Sequence, residues 1–464
     1  MASHRSDVAV VSSTSSLEVG EDVETRRDKL TGVGTPIQQP DGSADRLNVA
    51  IWHHLPSGGG KRALHDHVRG LVERGHALEA WCPPTADREF LPLNALISEQ
   101  ELPLGPLQVP GLARWLLDRV GADIEPLARL HAMSVHAERF AVALHAGHFD
   151  VLLAATCKWL FAPMIARHVR IPSVLYLQEP CRLLYEARPT LPWIAEEPVA
   201  RAWGPRLVRQ WLGSAARLHP VRVQAREELR SVRAFDRVLV NSRFSRESVL
   251  RVYGIDAKVC YLGIDTSRFL NYAGERRPVV LSVGEFGFHK NPEFVIRAVG
   301  LSETKPVLQW IANLARPDCV AQMTQLSQDL GVTLELKVGQ SDDELRRHYQ
   351  QGRALLFAPH LEPFGLAPLE ANACGMPVIA LAEGGVRETV IDGENGRLVD
   401  SPAEMAALLD RFIREPAEAQ AMGQRGAAIV RERWTLDRAT ERLEEHLREV
   451  VGEHAAASRS LAPA

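Results

Sequence analysis

Residues 354–399, ALLFAPHLEPFGLAPLEANACGMPVIALAEGGVRETVIDGENGRLV, decide how the rest of the chain is read. Ala354–Phe357 reads as a short buried strand stopped by Pro359, and a loop then presents Glu362, Phe364, Gly365 and Leu366. A helix is predicted from about Ala367, with Pro368 tolerated in its first turn. The first amides of a helix have no partners within it and carry partial positive charge, so this start suits an anion such as a diphosphate. Gly365 lets the main chain approach that anion without a Cβ in the way. Glu362 sits in the loop and Glu370 about one turn inside the helix. An ionised carboxylate only accepts hydrogen bonds and can take both hydrogens of a vicinal diol. A nucleotide sugar carries two hydroxyl-bearing rings, its sugar and its ribose, on either side of a diphosphate, so one Glu near each is coherent chemistry. Either Glu alone reads more simply as a solvated charge; only the pair points to a nucleotide sugar.

Outward from this segment, short β-rich runs alternate with helical stretches, which implies parallel sheets covered by helices. In the first half the predicted strands are Leu47–Trp52, Leu78–Cys82, Val151–Ala154, Ser173–Leu177 and Arg237–Val240. The second half starts again at Pro278–Val283 and continues through Val307–Ile311, Thr333–Val338, Ala354–Phe357, Val378–Leu381 and Arg397–Val399. The pattern predicts an α/β protein of two doubly wound, Rossmann-like domains facing across a cleft, with a hinge near residues 263–277. The expected division is a disordered tail at 1–46, an N-terminal Rossmann-like domain at 47–275 and a C-terminal Rossmann-like domain at 276–438. A helix at 439–455 is expected to pack back on the first domain, followed by a second disordered tail at 456–464.

Bulk properties limit the function. The chain has 464 residues, 45% hydrophobic and 24% charged, and a formal net charge of -4, which argues against general nucleic-acid binding. Its six cysteines are scattered without paired spacing, as in a reducing cytoplasm. No apolar run approaches the roughly 18 residues of a membrane span, and the N-terminus lacks a signal-peptide core. The expected location is cytoplasmic, or peripheral at the inner face of a membrane.

The run Glu362-Pro-Phe-Gly-Leu-Ala-Pro-Leu-Glu370, followed by Ala371, Ala373, Cys374-Gly375, Pro377-Val378, Gly384-Gly385, Glu388 and Asp392-Gly393, closely resembles the Glu-x7-Glu region of family 4 glycosyltransferases. The resemblance implies the GT-B fold and a retaining hexosyl transfer from a nucleoside-diphosphate sugar to a hydroxyl acceptor, with no metal and no further cofactor. It assigns the acceptor to the N-terminal domain at 47–275 and the nucleotide-sugar donor to the C-terminal domain at 276–438. It implies that Glu362 contacts the donor sugar, that Glu370 binds ribose hydroxyls, and that the amides of Phe364, Gly365 and Leu366 hold phosphate and sugar. Lys290, after the strand Pro278–Val283, falls where the family holds a phosphate-binding lysine. With Glu362 it forms the expected catalytic pair.

Ser57-Gly58-Gly59-Gly60-Lys61-Arg62 lies between a strand and a helix and is similar to the family's N-terminal glycine loop; Gly59 and Gly60 are candidate donor contacts. Two positions depart from the family. Glu285 stands where an Arg often follows the Gly, and a carboxylate cannot neutralise diphosphate. In Leu177-Gln178-Glu-Pro-Cys-Arg182, Gln178 takes the place of a His and cannot titrate. Gln178, Arg182 and His360 are candidate acceptor or phosphate contacts.

His53-His54 and His65-x-His67 invite a metal reading, but positions i and i+2 of a helix do not share a face. The stretch from 193 to 233, with Trp203, Trp211 and Arg206, Arg209, Arg217, Arg222, Arg226, Arg230 and Arg233, is basic and amphipathic. It reads as a helical insertion with a solvated basic face or as a peripheral membrane contact. Two other functions remain open on this architecture: a nucleotide-sugar epimerase or phosphorylase, and a non-catalytic nucleotide-sugar-binding module.

Overall fold

The computed structural model describes residues 46–106, 125–186, 191, 193, 194 and 204–460. Residues 1–45 of the expected tail at 1–46, Trp203, the Arg206 side chain and residues 461–464 lie outside the described residues.

Two parallel sheets share no strand. The first has seven strands: β1 (Asn48–His54), β2 (Ala77–Cys82), β3 (Ser98–Glu101), β4 (Val151–Cys157), β5 (Ser173–Tyr176), β6 (Arg237–Val240) and β7 (Lys258–Val259), in the order β3-β2-β1-β4-β5-β6-β7. The second has six: β8 (Val279–Val283), β9 (Val307–Ala312), β10 (Leu334–Val338), β11 (Ala354–Phe357), β12 (Val378–Leu381) and β13 (Gly396–Val399), in the order β10-β9-β8-β11-β12-β13. Among the helices of the first lobe are α1 (Gly59–Glu73), α2 (Glu125–Ala146), α3 (Arg182–Tyr185), α4 (Pro205–Val232) and α5 (Arg243–Tyr253). The second carries α6 (Pro292–Leu301), α7 (Pro317–Asp329), α8 (Asp342–Gln351), α9 (Leu366–Ala373), α10 (Val386–Thr389), α11 (Pro402–Arg414) and α12 (Pro416–Arg433). A last helix, α13 (Leu436–Ser460), follows.

This is the pair of doubly wound sheets that the alternation predicts. The central strands β1, β4, β8 and β11 are buried along nearly their whole length, which explains their continuous apolar sequences. The strands absent from the sequence reading, β3 and β7, are edge strands; β3 reads SEQE and is largely exposed, so it has no apolar signature.

Strand order reverses between β1 and β4 in one sheet and between β8 and β11 in the other. Ligands of open α/β sheets bind beyond the carboxyl ends of the strands at such reversals. The loops leaving β1, β8 and β11 carry Gly58–Gly60, Gly284–Lys290 and Pro359–Gly365 respectively. Topology therefore delivers the three sequence motifs to the two switch points.

The chain crosses between lobes twice, and the crossings lie side by side. Ile264 N donates to the Trp434 carbonyl at 2.7 Å and Leu436 N to the Ile264 carbonyl at 3.1 Å. Gly263 has no room for a Cβ because the Thr435 carbonyl fills that space. Tyr261, Phe364 and Trp434 pack as a trio beside this point, with ring centroids 5.3 to 6.3 Å apart. After the second crossing α13 lies on α1, β4 and β5 of the first lobe. Its Leu443, Leu447 and Val450 are buried, and Gly70 of α1 leaves space for Thr440. The sequence reading ended this helix at 455, but it runs to Ser460. The reason is Ala455-Ala456-Ala457, exposed residues whose high helix propensity carries the turn onward.

Glu228 of α4 lies buried against Tyr253, whose hydroxyl donates to it. Burial pushes its carboxyl up to about 8, despite the Tyr253 hydrogen bond. A carboxyl raised in the folded state favours folding fully below its unfolded pKa, and that contribution is lost as pH rises toward 8. Glu228→Gln is therefore expected to leave the melting temperature little changed at pH 5 and to raise it by a few degrees at pH 8. Thermal unfolding at the two pH values checks the difference.

Candidate donor site

Glu362 and Lys290, 72 residues apart in sequence, form an ion pair at 2.7 Å. Burial alone would raise the Glu362 carboxyl, but the charge and hydrogen bond of Lys290, with Arg182 and His289 behind it, outweigh burial and hold it below its ordinary value. Lys290 ends a short 3-10 turn and is followed by Asn291 at φ 53°. Gly284, at φ 142°, lies against the Lys290 stem.

The Glu362 turn is itself strained. Leu361 adopts φ 49°, which a branched side chain rarely tolerates. Its amide donates to Glu383 at 3.2 Å, while Gly385 N donates to the Glu362 carbonyl at 2.8 Å. Gly384 and Gly385 have no space for a Cβ, since the backbone of Leu361, Glu362 and Pro363 occupies it. The paired glycines of the quoted segment thus form the floor under this turn.

Helix α9 starts at Leu366, one residue earlier than the sequence predicts. Gly365 precedes it at φ 96° with no side-chain cap, so its first amides remain available. Across the cleft α1 starts at Gly59, after Gly58 at φ 135°, also without a side-chain cap. A Cβ at Gly59 would lie 3.7 Å from Leu366 Cδ1, and one at Gly60 would lie 3.3 Å from Gln178 Nε2. Two helix starts of favourable dipole thus face each other, with Gln178 alongside. The Phe364 side chain is buried in the aromatic trio at the lobe crossing; it anchors the loop and leaves the backbone to meet a ligand.

Glu370 is buried inside α9. Tyr349 donates to its Oε2 at 2.9 Å, and Arg62 Nε of the first lobe stands 3.9 Å from its Oε1. Arg62 also reaches Asp342 at 2.8 Å, which Arg268 pairs with too. Tyr349, Arg62, Asp342 and Arg268 come from other segments; Arg62 closes the glycine-loop motif, but nothing in the sequence pairs any of the four with Glu370.

Arg182 behaves differently from a free phosphate ligand. Its Nη1 donates to the His360 carbonyl at 3.0 Å and its Nη2 to the Leu361 carbonyl, while its Nε meets Glu179 at 2.6 Å. Glu179 escaped the sequence reading although it adjoins Gln178 and forms an i,i+3 pair with Arg182. Burial, and Glu362 nearby, raise its carboxyl against the pull of Arg182. The His360 side chain meets Glu383 at 3.2 Å. Glu285, the departure noted above, is paired with Arg316 at 2.8 Å. Glu388 accepts from the amides of Arg243 and Phe244 at 3.0 Å, capping α5 of the opposite lobe.

The four histidines do not converge. His53 bonds Glu99, His54 bonds Thr85, and His67 is buried against the Tyr176 ring. Among the described residues, His53, Cys82 and Glu99 bring ligand-type atoms within 4.8 Å of one another. The His53–Glu99 hydrogen bond and the buried Lys61 charge beside it account for that carboxylate. All six cysteines are free and buried.

A family model for Glycosyltransferase Family 4 matches residues 57–268, and one for Glycosyl transferases group 1 matches 264–428. The chain belongs to glycosyltransferase family 4. A D-inositol 3-phosphate glycosyltransferase of Kineococcus radiotolerans is 31% identical over 236 residues, 43% of this chain and 54% of that relative. The chain thus spans about half that relative's length. A GDP-mannose-dependent alpha-(1-6)-phosphatidylinositol monomannoside mannosyltransferase of Mycolicibacterium smegmatis is 28% identical over 310 residues, 58% of this chain and 80% of that protein. Among solved structures, Anabaena Alr3699/HepE, crystallised with UDP and glucose, superposes with a TM-score of 0.64 at 18% identity over 87% of this chain and 99% of that one. Sucrose-phosphate synthase of Thermosynechococcus elongatus gives 0.62 at 18% identity, over 88% of this chain and all of the other. These likenesses establish the GT-B fold for this family member.

Proposed function

We propose that this chain is a retaining glycosyltransferase that moves a hexosyl group from a nucleoside-diphosphate sugar to a hydroxyl acceptor. The observation that carries the reading is the placement of Glu362 and Glu370 before and within the uncapped start of α9, with Gly59 of the other lobe opposite. In this reading the diphosphate lies at the α9 start with Lys290 beside it, the ribose diol takes Glu370, and the sugar lies by Glu362. HepE binds UDP and glucose, which supports a nucleotide-sugar donor. The acceptor hydroxyl attacks from the leaving-group face, and the departing phosphate takes its proton. Lys290 and the two helix starts stabilise the charge that develops on the leaving group, as fixed dipoles do in a water-excluded cleft. The reaction needs the donor and the acceptor hydroxyl, and in this reading no metal.

Glu370→Ala removes the ribose acceptor and leaves the Tyr349 hydroxyl and Arg62 facing a void. Donor KM is expected to rise about 10- to 100-fold, the value of a charge-assisted hydrogen bond, with kcat at saturation changed much less. A thermal-shift screen with UDP-, GDP- and ADP-sugars identifies the donor first, because a bound ligand raises apparent stability. Wild-type protein that binds none of them, or variants at both Glu residues that stay fully active, would overturn the proposal. A phosphorylase or epimerase is separated by its products.

The acceptor side has one distinctive face. Val208, Trp211 and Leu212 are exposed on the first half of α4, and Arg222, Arg226 and Arg230 continue the same face. We propose that this face rests on an anionic lipid surface, the apolar half inserting and the arginines meeting headgroups. No helix among the described residues is long and apolar enough to cross a membrane. Co-sedimentation with vesicles containing phosphatidylglycerol, but not with pure phosphatidylcholine, is expected for the wild type and is expected to be lost in Trp211→Ala.

A further inference from the structure

We infer that Arg182, oriented by Glu179, is a positioning residue for Glu362: from the first lobe it holds the strained Leu361 turn of the second, and so sets where the Glu362 carboxylate stands. The inference rests on the proposed role of Glu362 and adds how that residue is held in place.

Three observations carry it. The Arg182 guanidinium is committed on several sides, to the carbonyls of His360 and Leu361 through its two terminal nitrogens and to Glu179 through Nε, with Glu186 3.7 Å away. Such a planar fork fixes the positions of its acceptors, as a lysine ammonium on a flexible stem does not. The residue it grips, Leu361, is the one at φ 49°, directly before Glu362. Strain of this kind persists only where surroundings over-determine the backbone. Within the second lobe, Glu383 holds the Leu361 amide and Gly385 the Glu362 carbonyl. The Leu361 carbonyl is held from the other lobe, by Arg182. Without that grip the turn is free to relax its φ, and the next side chain swings with it. The contact also crosses the cleft, so the turn is held only when the lobes are engaged. Gln178 and Glu179 follow the carboxyl end of β5, so the lobe that offers Gln178 to the glycine loop also sets the Glu362 turn.

The test compares Arg182→Ala, Arg182→Lys, Glu179→Ala and Glu179→Gln by steady-state kinetics with the donor that the wild type uses. The expected result is a kcat lower by about 10- to 100-fold in both Arg182 variants, the scale of a misplacement near 1 Å, with donor KM and the thermal shift from the matching nucleoside diphosphate within about twofold of wild type. Glu179→Gln, which keeps an oxygen for the guanidinium, should retain more turnover than Glu179→Ala. The double variant Arg182→Ala with Glu362→Gln should be no slower than Glu362→Gln alone, because both changes act through one group. A rise in donor KM with loss of the nucleotide shift would make Arg182 a direct phosphate ligand and overturn the inference, as would unchanged kcat. Hydrogen exchange of the 358–365 backbone gives a readout independent of turnover: it should quicken in Arg182→Lys, and equal exchange would also overturn the inference. If the wild type binds and transfers no sugar, the proposed function fails, while the exchange result still decides whether Arg182 holds the turn.

Discussion

Glu362→Gln is expected to lower kcat by about 10²- to 10³-fold while the protein still binds nucleoside diphosphate. The change keeps the volume and a hydrogen-bonding oxygen but removes the charge. In the wild type that charge stands 2.7 Å from Lys290 and is held ionised in spite of burial, because Lys290, Arg182 and His289 together outweigh desolvation. Loss of the negative charge alters both members of the pair: in the proposed binding mode the sugar loses its anionic neighbour, and Lys290 loses the group that fixes its direction. The end proposed to hold the nucleoside is untouched, since Glu370, Tyr349 and Arg62 form a separate set of contacts. Steady-state kinetics together with a nucleotide thermal shift would separate these outcomes. A variant with wild-type kcat would remove Glu362 from turnover.

Gly385→Ala is expected to reduce turnover by at least about 10²-fold through displacement alone, although no ligand-facing group is removed. Gly385 has an ordinary φ, so backbone preference is not the obstacle. A methyl there would occupy the position of the Pro363 carbonyl and press on Ser242 Oγ of the opposite lobe. Rigid backbone cannot yield as a flexible side chain does, so the Glu362 turn must move; overpacking of this kind typically costs 1–3 kcal/mol of stability. The melting temperature should therefore fall by a few degrees while the far-ultraviolet circular dichroism stays native. Gly393→Ala is the matched control, because a Cβ there meets nothing within 4 Å, although its φ of 80° adds local strain. Equal activity of the two variants would mean that the floor beneath the turn is not needed.

Much of this architecture is legible in the sequence because buried parallel strands need uninterrupted apolar runs, as in Ala354–Phe357 and Val378–Leu381, and because a helix entered through a positive φ needs glycine there, as at Gly58 and Gly365. What could not be read is what the fold brings together from a distance. Nothing local to Lys290 names Glu362 as its partner, and nothing near Glu370 announces Tyr349, Arg62 or Asp342. Edge strands such as β3 escape because their outward faces answer to solvent. Glu179 was within reach: a charged residue at the end of an apolar strand, three before an arginine, already forms a pair. The charge of Glu285 is met by Arg316, at the start of α7 and 31 residues away, a pairing that no local pattern announces.

The helix Leu436–Ser460 alters what counts as a unit of this protein. The helix that covers α1 and the strands β4 and β5 of the first sheet is encoded in the last stretch of the chain, after the whole of the second sheet. During translation the amino-terminal half waits, with the strip destined for Leu443, Leu447 and Val450 uncovered, until the other half has been synthesised. Cutting the gene at the linker would thus yield one fragment with its own roof and one without, and the latter would become a folding unit only when that distant helix is grafted back.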